Sequence, residues 1–325
     1  AALSTQQIQA IALDDLVALS TAQVGALTTA QARALTTAQV VGLTTAQARA
    51  LATEDLAALS SLQVSKLATD DLIALGTAQI VALGTEQAAA LTGSQVAALT
   101  SAQVRALEIA DLEKLSTSVI GSLTTAQVVA LSEAQVAALT TAQVKQLEPI
   151  DLAALSTAQI VAMDSAQFSV LSVSQVAALT TAQMRAIEVA DVAGLSTAAI
   201  QSLSTSQIAA LSTQQIEALT VAQVGALKNT HVAVLSTQQV AAFEPADLAA
   251  LSAPAVAALT TAQVSNLSTA QIDALTTAQV AAMEALDVGA LTSQQLVALD
   301  VAQVGAFTPA QVLALSTAKI AAIEA

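Results

Sequence analysis

The sequence predicts an all-α fold, an α-solenoid or superhelix of about 40 very short capped helices, one per eight-residue repeat. Three observations carry this: an apolar residue recurs at every eighth position, Ser or Thr follows it in most copies, and Gln stands three residues further on. Counting from Leu3, the eighth residue is always Leu, Ile, Met or Phe, through Leu19, Leu27, Met163, Ile187, Phe243 and Phe307 to Ile323. The 41 such positions contain no insertion or deletion. With this position called a, the repeat reads a Leu, b Ser/Thr, c Thr, d Ala, e Gln, f Val/Ile/Leu, g and h Ala, and f is apolar from Ile8 to Ile320.

The other regular structures fail on this period. In a strand, a and f lie an odd number of residues apart and would face opposite sides. A continuous helix would rotate each octad by roughly 80° relative to the last, so no apolar stripe would survive. A helix that stops and restarts in every octad gives each position a reason. Ser or Thr at b, in 27 of 41 octads, is the N-cap; Gln at e completes a capping box; the apolar residues at a and f occupy the two positions of a hydrophobic staple. Pro149, Pro245 and Pro309 all fall at c, the first helical position, and Pro254 one residue later. Glycines gather near the expected helix end, with Gly25, Gly121, Gly225, Gly289 and Gly305 at g and Gly42 and Gly194 at h, while Gly76 and Gly84 replace the cap. Positions g and h also hold Arg33, Arg49, Lys66, Arg105, Lys114, Lys145 and Arg185, so they are expected to reach solvent.

One Leu and one Val per octad cannot offset the entropy of ordering eight residues, so octads are expected to stack their a and f residues into a shared core. The whole of 1–325 reads as a single continuous octapeptide-repeat solenoid, and a sequence that begins and ends inside its repeat reads as a segment of a longer protein.

Composition narrows the chemistry. Cysteine, Trp and Tyr are absent and there is one His, so no thiolate site, cysteine nucleophile or Ser-His-Asp set is expected. A net charge of -15 argues against nucleic acid and anionic membranes. Mean hydropathy is +0.69, yet polar residues in every octad leave no run of about 20 apolar residues for membrane insertion. Neither a basic n-region nor an apolar h-region opens the chain. No cofactor and no enzymatic activity are expected.

Eight octads place Asp at e: Asp15, Asp55, Asp71, Asp111, Asp151, Asp191, Asp247 and Asp287. Each has a second acid in or beside the same first turn, at d in Asp14, Glu54 and Asp70, or at b in Glu108, Glu148, Glu188, Glu244 and Glu284. Most recur at a spacing of 40 residues. The pairs Glu108/Asp111, Glu148/Asp151, Glu188/Asp191, Glu244/Asp247 and Glu284/Asp287 are candidate cation ligands, since hard cations take oxygen. The simpler reading is favoured: acids in a first turn complement the helix dipole and replace Gln in the capping box, two side chains fall short of the six to eight oxygens of Ca²⁺, and the spacing records block duplication. No metal site is therefore assigned, and Ca²⁺ is expected to have no selective effect. His231 reads as a variant e residue, and Met163, Met184, Met283, Phe168, Phe243 and Phe307, all at a or f, as core substitutions.

The "LSTAQ" and "LTTAQ" strings followed by Val or Ile resemble octapeptide-repeat tracts of large bacterial secreted proteins of adhesin-like or haem-utilisation-or-adhesion-like type. The resemblance implies a surface-exposed stalk and transfers no catalytic residue. The expected role is a structural scaffold or spacer outside the cell or on the bacterial surface, with self-association or a protein partner possible. The alternatives are a solenoid that binds a peptide or protein, and an array that binds Ca²⁺ or ice.

Overall fold

The octads form the short helices expected of them, most with a side-chain cap though not those that start at Ala12, Ala52 or Ala68, and α16 (Thr125–Ala130) illustrates the consensus. The N-cap Thr124 is extended (φ -77°, ψ 155°). Its own N–H donates to Gln127 Oε1 at 2.8 Å, and the Gln127 N–H donates to Thr124 Oγ1 at 3.3 Å. Leu131 ends the helix in extended conformation (φ -56°, ψ 141°). Two extended residues, a and b, thus redirect the chain between helices, and no described residue needs a positive φ.

The structure, a computed structural model, describes residues 3–323. Among these are forty helices of four to seven residues, from α1 (Thr5–Gln9) to α40 (Thr317–Ile323), and no strand. The chain forms two compact units, residues 3–163 and 164–323, and each is a helical-repeat solenoid. Within a unit a helix packs on the helix three octads away. In the first unit α13 (Ser101–Ala106) lies between α10 (Thr77–Val81) and α16, and in the second α32 (Ala253–Ala257) packs on α35 (Thr277–Ala282).

Positions a and f fill the core, as the staple pattern predicts. Leu99, Val104, Leu107 and Leu112 are buried in the first unit, and Ile208, Leu211, Ile216 and Leu219 in the second. Met163, Met184, Met283, Phe168 and Phe243 are core residues, whereas Phe307 is half-buried. Residues at b, d and g face solvent in most octads. The finding not expected from amphipathicity is position e, where polar residues are as buried as the core: Gln103 is 2% exposed.

Glycines at g and h have a different reason from the helix-end conformation expected of them. A Cβ on Gly25 would lie 2.9 Å from the Ala50 carbonyl oxygen, and one on Gly194 would lie 2.6 Å from that of Ser165. What Gly25 and Gly194 need is room for the backbone of a neighbouring turn, whereas Gly305 has nothing within 4 Å.

Candidate functional site

The polar chemistry of the protein is concentrated at e. Gln103 shows the consensus arrangement: Oε1 accepts from the Thr100 N–H at 2.8 Å, closing its own octad's cap. Its Nε2 then donates to carbonyls of the preceding turn, Leu72 at 2.7 Å, Ile73 at 3.2 Å and Leu75 at 2.9 Å. These lie 31, 30 and 28 residues earlier. They are the f and g carbonyls of the octad four before and the a carbonyl of the octad three before, so one turn takes between three and four octads. Gln127 in the first unit and Gln279 in the second repeat the pattern, reaching Val96, Ala97 and Leu99, and Leu248, Ala249 and Leu251. A buried amide is tolerated because both of its ends are satisfied. In Gln7, Asp15 and Gln23, for which no octad so placed precedes, e is exposed.

Two substitutions at e show what the position requires. His231, 2% exposed, accepts the Lys228 N–H at Nδ1 (3.3 Å), and its Nε2 lies 2.9 Å from the Leu203 carbonyl. Neutral imidazole with its proton on Nε2 reproduces the acceptor and donor of Gln. Burial pushes its pKa down, with the Leu203 contact opposing. Lys319 places Nζ on the Gly289 carbonyl, 30 residues earlier. An amide, an imidazole N–H and an ammonium thus all occupy the same carbonyl cradle.

The acidic octads differ. The two acids of each pair differ in burial: Glu108, Glu148, Glu188, Glu244 and Glu284 are exposed at b, while Asp111, Asp151, Asp191, Asp247 and Asp287 are buried at e. The capping role expected of Asp is found at Asp151 and Asp247, which accept the N–H of Glu148 at 3.2 Å and Glu244 at 3.0 Å. A contact invisible in the local pattern is made from 26 residues back, where Thr125 donates to Asp151 at 2.8 Å and Thr261 to Asp287 at 2.7 Å. Thr45 faces Asp71 at the same separation. At Asp71 and Asp111 the Oδ2 atoms are buried and have no hydrogen-bond partner. Burial is the leading cause that raises the pKa of Asp55, Asp71, Asp111, Asp191 and Asp247; the neighbouring acid in the same turn adds to it. No group of three or more His, Cys, Asp or Glu able to hold a metal occurs among the described residues.

A shallow groove in the first unit is lined by Arg105, Val129, Ser132, Glu133, Ser156 and Gln159, among others. Among the described residues no helix is long and apolar enough to cross a membrane.

Short capped helices stacked through a buried polar ladder define a tandem-repeat helical scaffold. The chain belongs to the ALTTAQ repeat family, whose repeat matches residues 8–45, 64–101, 104–141, 144–181, 184–221, 240–277, 255–285 and 280–317. No curated protein matches it.

Proposed function

We propose that this repeat scaffold is a non-enzymatic stalk or spacer of a large secreted or cell-surface protein of adhesin type. The observation that carries the reading is the use made of the repeat's polar groups. The b hydroxyl and both ends of the e amide are taken up in capping helices and joining turns. What reaches solvent is mostly Thr, Ser and Ala at b, c, d and g, a surface poor in groups that could act on a substrate. The net charge of -15 suits a chain exposed to water and repelled by anionic membranes. The resemblance of the LTTAQ strings to secreted bacterial repeat tracts supports an extracellular or cell-surface location.

An antibody against this segment should label intact producing cells, and protease added outside should remove the signal. Labelling that requires permeabilisation would overturn the surface assignment. Solid-phase capture of a defined peptide or protein by the isolated segment would favour a binding solenoid over a spacer.

A further inference from the structure

The e position is where one turn lends hydrogen-bond donors to the carbonyls of the turn before. At Gln103 Nε2 sits among three carbonyl oxygens at distances of 2.7 to 3.2 Å. Aspartate at e carries no N–H, so α14 (Ile109–Lys114) packs on α11 (Thr85–Ala89) without the donor that Gln would supply to the Ile80, Val81 and Leu83 carbonyls. These are the residues 31, 30 and 28 positions before Asp111. On the same packed helix Asp111, 1% exposed, buries an Oδ2 with no partner. Asp71 on α9 (Thr69–Ala74), packed on α6 (Thr45–Ala50), repeats the arrangement, 3% exposed and also with an unpartnered Oδ2. A buried carboxylate oxygen with no partner, on a helix packed against a turn whose carbonyls receive no amide from e, needs a positive or proton-bearing group from outside.

We propose that the Asp71 and Asp111 octads each bind one monovalent cation of potassium or ammonium size, held between the buried carboxylate and the carbonyl cradle of the preceding turn. Size follows from the cradle, which holds a nitrogen at hydrogen-bonding distance, and a bare potassium ion meets carbonyl oxygens at a similar separation, about 2.7–3.0 Å. Charge type follows from Lys319, whose ammonium occupies the equivalent cradle on Gly289. Divalent ions fit less well, because each site offers one buried carboxylate and its paired acid, Asp70 or Glu108, does not complete a group of three ligating side chains. Burial that raises both carboxyl pKa values shows that the site penalises an uncompensated charge.

The test is a thermal melt of the full chain at about pH 7, in choline chloride and then in potassium chloride at equal ionic strength of about 100 mM. Potassium should raise Tm by about 2–4 °C over choline. In the double variant Asp71→Gln with Asp111→Gln, an amide fills each cradle and the difference should vanish. Asp151→Gln serves as control and should retain it, since both Asp151 oxygens already hold donors. Rubidium soaked into crystals should give anomalous density beside Asp71 and Asp111, and this readout decides alone if the double variant does not fold. Equal melts in choline and potassium, a difference that survives in the double variant, stabilisation by Ca²⁺ in preference to potassium, or absence of rubidium at both sites would each overturn the proposal.

Discussion

The Gln103 Nε2 donates to the Leu72 carbonyl at 2.7 Å, joining residues 31 positions apart. Its Oε1 closes the cap of its own octad at the same time. A single amide therefore specifies both where a helix begins and which turn it rests on, and its two ends can be tested separately.

Gln103→Ala should cost about 2–4 kcal/mol, because a cap N–H and several buried carbonyls lose their partner together. Gln103→Lys keeps the donor, as Lys319 does, and should be milder than Gln103→Glu, which keeps the acceptor but sets a carboxylate against carbonyls. Denaturant melts that rank Glu above Lys at neutral pH would show that the inter-turn contact is not the dominant one.

Close approach of turns gives a second prediction. Gly25→Ala should destabilise by about 1–3 kcal/mol, since its Cβ meets the Ala50 carbonyl at 2.9 Å. Gly305→Ala, with nothing within 4 Å, should be neutral or stabilise by up to about 1 kcal/mol through helix propensity. Opposite signs in chemical denaturation are the expected result.

Core and surface positions of adjacent octads can be compared directly. Leu179 is 3% exposed and Ala177 faces solvent. Leu179→Asp should cost several kcal/mol, roughly 3–5, for a buried unpaired charge, while Ala177→Asp should stay within about 0.5. Similar melting points for the two variants would mean that the faces are wrongly assigned.

Stability should also respond to pH, in a direction opposite to the usual one for carboxylates. Folded pKa values of Asp55, Asp71, Asp111, Asp191 and Asp247 are raised. Their contribution is therefore fully present below the unfolded value of about 3.9 and is lost as pH rises through the folded values. His231 is shifted down, so its contribution is present above about 6.5 and is lost as pH falls toward the folded value. In choline buffers, Asp71→Gln with Asp111→Gln should flatten the loss of Tm on raising pH from the acid side, and His231→Gln the loss on lowering it below neutrality. A double Asp variant whose profile tracks the native chain would contradict the first assignment.

Much of this was legible because the repeat is short and its constraints are local. Cap, box, staple and first-turn proline all act within five residues, so Thr124, Gln127 and Pro149 announce their roles without reference to any other octad. The e position was only half legible. Its acceptor end belongs to the local box, whereas its donor end serves carbonyls 28 to 31 residues away, a distance that no local pattern encodes. For the same reason the sequence does not show that Glu108 stays exposed while stacking buries Asp111.

What the sequence determined by itself is the helix: its start at b, its end before the next a, and the apolar identity of a and f, each set by contacts within one octad. Only the tertiary structure decided how octads meet, because stacking between three and four octads per turn depends on the geometry of two extended linker residues repeated many times. That stacking buries e, turns a capping glutamine into the bridge between turns, and leaves Asp71 and Asp111 each with a buried carboxylate oxygen that no donor reaches.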